Sequence, residues 1–95
     1  MARYTRSSAS TTVSSTALKL LPANPGRIAM IFQETGGTNP VRFASDDDNL
    51  AATLGILVGS GQSFVLDGDA CWTGDVWAVC TAAGDATVTV TEVVG

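Results

Sequence analysis

Histidine is absent from all 95 residues, and with it the commonest general base, metal ligand and pH-responsive side chain. Few other residues could do chemistry. Lys19, the only lysine, falls in a β-rich run, a poor setting for Schiff-base chemistry. Cys71 and Cys80 have no imidazole to activate either thiol as a nucleophile. Their spacing fits no metal motif. Asp46-Asp47-Asp48 is the best candidate for a hard cation, because such ions favour clustered carboxylates. Taken as the start of a calcium loop, however, it puts Leu50 at the next odd position, and leucine has no ligand atom. Asp67-Gly68-Asp69 fails likewise at Cys71 and Trp72. Both acidic runs are expected as solvated loops. Gly59-Ser60-Gly61 lies between strand-like runs and lacks the lysine of a phosphate-binding loop. No catalytic residue, metal or cofactor is expected, and the chain does not read as an enzyme.

Two tryptophans remain as candidate ligand platforms. Trp72 sits between glycine- and aspartate-containing segments, where it either plugs one end of the fold or presents a stacking face to a sugar. Trp77 lies in an apolar run and is expected in the core. Cys71 and Cys80 could pair across neighbouring strands, but because the start of the chain has no apolar stretch of a secretion signal, two reduced, buried small hydrophobes are the preferred expectation.

The elements that would position these residues are strands. Residues 75–81 and 86–94 are two β-rich runs around a small-residue turn, and Thr87-Val88-Thr89-Val90-Thr91 alternates with period two. This reads as a hairpin. Ala17-Leu18-Lys19-Leu20-Leu21 is a short strand, and Pro22-Ala23-Asn24-Pro25-Gly26 is a turn. Residues 27–33 form a strand apolar on both faces, hence central. A turn over 34–40 and the run Val41-Arg42-Phe43-Ala44 suggest a second hairpin, and 56–58 with 63–66 a further strand pair. In residues 45–55 a capped helical turn and a loop are equally compatible with the pattern. The expectation is a small antiparallel β-sandwich or barrel of about seven short strands. Residues 1–16, rich in Ser and Thr, are expected as an extended N-terminal arm, flexible until a partner orders it, and residues 17–95 as the β domain.

Charged residues make up 15% of the chain, well below the usual ~25%. Low charge with high β-propensity leaves strand edges prone to pairing, which suits a homo-oligomer. The net charge is −4, and from Ser7 onward three basic and nine acidic residues give −6. Such a body does not suit direct nucleic-acid binding, which needs clustered Lys and Arg. Nor does any run approach the ~18 apolar residues of a membrane span. The basic residues of the arm, Arg3 and Arg6 with Tyr4 between them, are the candidates for contact with an acidic partner surface.

The series Leu20-Leu21-Pro22-Ala23-Asn24-Pro25-Gly26-Arg27-Ile28-Ala29-Met30-Ile31, followed by Asn39-Pro40-Val41-Arg42-Phe43, resembles small β domains of tailed-bacteriophage virion proteins. So do Gly59-Ser60-Gly61-Gln62-Ser63-Phe64-Val65-Leu66 and the closing Thr87-Val88-Thr89-Val90-Thr91-Glu92. The likeness covers about residues 18–93 and rests on turn and strand patterns, not on catalytic signatures. The Asp46-Asp47-Asp48 loop and the cysteine pair depart from it. Such domains serve as capsid decoration (cement) proteins and as head-fibre or tail-fibre bases, commonly as trimers. The resemblance therefore implies a non-enzymatic virion component, made in the host cytoplasm and carried on the capsid surface. It would bind the major capsid protein, with Arg3, Tyr4 and Arg6 on the attaching arm. A fibre adhesin is the alternative within the virion. A carbohydrate-binding module presenting Trp72 is the alternative outside it.

Overall fold

A computed structural model describes residues 5–36, 39–46, 50, 54–81 and 84–95. Eight strands follow one another: β1 (Thr5–Val13), β2 (Leu18–Leu21), β3 (Arg27–Glu34), β4 (Val41–Ala44), β5 (Ile56–Val58), β6 (Ser63–Asp67), β7 (Val76–Cys80) and β8 (Ala86–Val94). One 3₁₀ turn, Gly68–Ala70, lies between β6 and β7. Two antiparallel four-stranded sheets result, ordered β1-β8-β3-β6 and β2-β7-β4-β5. The all-β sandwich is as expected.

The connectivity differs from the hairpins that the sequence suggests. β7 and β8 lie in opposite sheets, as do β3 and β4, and β5 and β6. Among these strands only the β4–β5 connection joins sheet neighbours; every other one crosses between sheets. The pairs β1·β8, β2·β7, β3·β6 and β4·β5 nest inside one another. Contacts of β3 with β8 and of β4 with β7 then roll this ribbon into two sheets. That is the strand order of a jelly roll. Hairpins and sheet-crossing arches use the same Gly- and Pro-rich turns. Alternation marks which side of a strand faces the core, and both connections satisfy it.

The core lies between the sheets. Val13, Met30, Phe32, Leu66, Ala86, Val88 and Val90 come from the first sheet, and Val41, Phe43, Val58, Val76, Ala78 and Cys80 from the second. Phe32 and Phe43 stack with ring centroids 3.8 Å apart at an interplanar angle of 10°, and Phe64 meets Phe43 edge-on at 5.6 Å. In β8 the alternation holds: Ala86, Val88 and Val90 are buried and the threonines between them are half-buried.

Three further expectations change. Residues 5–13, expected in an arm ordered only by a neighbour, pair with β8 of the same chain at every position from Thr5↔Val94 to Val13↔Ala86. That expectation weighed side-chain burial alone. A ladder of backbone hydrogen bonds and the fully buried Val13 hold the strand to β8. Ile28, in the strand read as apolar on both faces, is exposed, because the β3–β8 register shifts between Arg27 and Ala29 and turns Arg27 inward instead. Trp77, expected in the core, lies half-buried on the outer side of β7. There it packs on a second cluster of Ala44, Leu50 and Val79. Within residues 45–55, Leu50 thus covers the outer face of the second sheet, while 47–49 and 51–53 lie outside the described residues.

Candidate functional site

The residues most constrained by chemistry gather at one end of the sandwich, around the Pro22-to-Arg27 turn. The Arg27 side chain is wholly buried. Its Nε donates to Glu92 Oε2 at 2.8 Å and its Nη2 to the Pro22 carbonyl at 2.8 Å. Its Nη1 donates to the carbonyls of Trp72 at 2.7 Å and Gly74 at 2.9 Å. A planar guanidinium is the side chain that can serve so many acceptors at fixed angles. Asn24 completes the network. Its backbone N–H donates to Thr73 O at 2.7 Å, and its Nδ2 to Glu92 Oε1 at 3.4 Å. Its Oδ1 accepts from the Gly26 N–H at 3.1 Å. Ala23 N–H donates to Asp75 Oδ1 at 2.9 Å. Three segments distant in sequence are thereby locked together: the turn before β3, the loop before β7, and the end of β8.

The opposite end of β3 carries a second buried charge. Glu34 is 1% exposed, and its carboxylate accepts from the backbone N–H groups of Gly36 and Gly61, each at 3.2 Å. Both ends of the strand thus hold a buried polar side chain bonded to loop backbone. Among the described residues no buried side-chain N or O atom lacks a partner.

Trp72 takes the plugging position. Its half-buried ring stands edge-on to Phe43, centroids 5.7 Å apart at 63°, and touches both apolar clusters. Trp77 carries the Lys19 ammonium 5.6 Å from its ring centroid, and that ammonium pairs with Asp75 at 3.3 Å. Both members of this pair are well exposed, so the contact adds little. Cys71 and Cys80 are free thiols. Burial pushes the Cys71 thiol above its ordinary pKa; Arg27 pulls it back, and Asp67 and Glu92 add to the rise. A thiol so placed is a weaker nucleophile at neutral pH than a free one.

Of the arm residues expected to meet a partner, Arg3 and Tyr4 lie outside the described residues, and Arg6 falls in β1 opposite Val93. Asp67 and Asp69 are exposed and Asp46 is half-exposed, while Asp47 and Asp48 lie outside the described residues. Among the described residues no group of His, Cys, Asp and Glu has metal-binding geometry, no cavity opens, and no helix is long and apolar enough to cross a membrane. Sequence reasoning missed the Arg27–Glu92 pair and, at the other end of β3, Glu34. The available signal was the placing of Arg27 directly after the Pro22-Ala23-Asn24-Pro25-Gly26 turn, where a register shift can turn it inward.

Set against protein-family models, curated proteins and solved structures, the chain matches none.

Proposed function

We propose that this protein is a non-enzymatic structural component of a tailed-phage virion: a capsid decoration protein that binds the major capsid protein and stabilises the shell by bridging its subunits. The observation that carries the reading is how the chain uses its chemically distinctive residues. Arg27, Asn24, Glu34 and Glu92 bond to loops of the sandwich or to one another, and Trp72 packs against its core, as suits a building block. The resemblance in its turn and strand motifs supplies the phage setting. The jelly-roll order is compatible with it, since that architecture serves capsid and lectin domains alike, and a fold does not choose between them. A cement protein needs no turnover: its contacts add to those holding the shell, and mass action favours the bound, closed particle.

Particles lacking the protein are the test. They are expected to assemble with unchanged geometry, to release DNA sooner on heating, and to regain heat resistance when purified protein is added back. Adsorption to host cells is expected at the normal rate. Normal heat resistance with failed adsorption would overturn the decoration reading in favour of a fibre adhesin.

A further inference from the structure

Among the described residues, four strands have a side with no strand paired to it: β1 and β6 in the first sheet, β2 and β5 in the second. An exposed edge is a row of unpaired N–H and C=O groups that recruits another strand unless it is short, bulged, charged or interrupted. Three of these edges are protected in just those ways. β2 has four residues, shifts register between Lys19 and Leu21, carries Lys19 and runs into Pro22. β5 has three residues, preceded by Gly55 at φ +107° and followed by Gly59. β6 has five, ends in Asp67, and lies between Gly61 and Gly68, both at positive φ. β1 has none of these devices. Its nine residues keep an unbroken register with β8, contain no Gly or Pro, and carry no charge from Ser7 to Val13.

We infer that the outer edge of β1 docks the same edge of a second copy of this chain, antiparallel about a twofold axis, joining the two first sheets into one. The free row is roughly 30 Å long at the usual rise per residue, and an extended backbone of equal length is its natural complement. Among the described strands only β1 and β8 have nine residues, and β8 is already paired on both sides. Self-pairing also suits the charge pattern. Arg6 is the only charged residue of β1, and a pairing centred on Ala9 sets it opposite Thr12 of the second copy, so like charges do not oppose. A twofold contact uses the same patch on both copies and closes without forming a fibre. A trimer built by edge pairing would instead need β1 to meet one of the three protected edges. This inference stands independently of the decoration reading.

The test follows hydrogen–deuterium exchange and mass in the unaltered chain from micromolar to millimolar concentration. The expected result is a mass that rises from 9.7 kDa to about twice that on closing the twofold pair. Exchange of β1 amides should slow in step, with β2, β5 and β6 unchanged. Ser10→Pro and Thr11→Pro supply the second arm. Successive N–H groups of a strand point in opposite directions, so one of the two removes an outward donor and spares the β8 ladder. That variant is expected to fold and stay monomeric. A monomer throughout the range, a trimer, concentration-dependent protection at another edge, or a dimer that survives in both folded variants overturns the inference. Should neither variant fold, the exchange pattern of the unaltered chain decides.

Discussion

Arg27 shows how much a single side chain holds at this scale. Removing it takes the Arg27 donor from Glu92 Oε2 and from three loop carbonyls, and breaking a buried pair from one side costs far more than the pair contributes. Arg27→Ala is expected to lower stability by about 3–5 kcal/mol. Arg27→Lys should recover only part of this, because one ammonium cannot reach acceptors on three segments. Urea melts of the two variants check both statements, and a Lys variant as stable as the parent would contradict them. The two large aromatic positions separate in the same assay. Phe32→Ala empties the stacked centre of the core and should cost about 3–5 kcal/mol, whereas Trp77→Ala, on the half-buried outer cluster, should cost clearly less. At Cys71 the raised pKa means that the protonated thiol fits the fold. Its contribution to stability is whole below the ordinary thiol pKa and is lost as pH climbs through the raised value. Alkylation of Cys71, followed by peptide mass spectrometry at mildly alkaline pH, should therefore run slower in the folded chain than in urea. Equal rates would show that the raised pKa has no chemical effect. In the sequence, the inward valines of β8 were legible from the period-two alternation of residues 86–90, and β3 was legible as a central strand from its unbroken apolar run, though that run does not say which of its faces meets the core. Arg27 was not, because one register shift reverses the face of the residues before it and nothing in the alternation reports a shift.

At the scale of elements, turns were easier to find than partners. The Pro22-Ala23-Asn24-Pro25-Gly26 turn and the Gly59-Ser60-Gly61 turn lie where Gly and Pro place them, but each leads to the opposite sheet and not to a hairpin neighbour. Local chemistry sets how sharply the chain bends. Which strand it then meets depends on contacts made far along the chain. Gly55 is the connection where backbone freedom matters most. At φ +107°, an added Cβ would lie 2.9 Å from Leu50 Cδ1 and 3.1 Å from the Phe43 carbonyl oxygen. Gly55→Ala should cost about 1–3 kcal/mol from strain at the disallowed angle alone, read as a lower melting temperature; an unchanged one would show that the loop relaxes freely. β1 gives the complementary case. Its side chains look too polar to belong to a core, yet its last residue, Val13, is fully buried and its backbone covers one side of β8. Deleting residues 1–13 should therefore destabilise the domain and expose the β8 edge to aggregation. A truncated chain that melts like the full one and stays soluble would return these residues to the status of a detachable arm.

For the whole molecule, the nested pairing has a kinetic consequence. β4 and β5 are the closest pair in sequence. Each pair outside them closes a longer loop, ending with β1 and β8 at opposite ends of the chain. Loop-closure entropy is lost before such contacts return any energy, so folds dominated by non-local strand pairs are slow. Refolding from urea is expected on the millisecond-to-second scale of all-β sandwiches, although the chain is short. The order of events follows from the same geometry. Pairing of β8 with β3 builds the surface that β1 needs, and β1 adds just one fully buried residue among its described side chains, Val13. Pulse-labelling hydrogen exchange during refolding should therefore protect amides of β3, β4, β7 and β8 before those of β1. Mutations in β1 should mainly speed unfolding, whereas Phe32→Ala and Phe43→Ala should slow folding. If β1 amides were protected first, or if Val13→Ala slowed folding as much as Phe43→Ala, then the two chain termini would meet early. The sandwich would in that case be nucleated by its longest-range pair and not by the stacked phenylalanines at its centre.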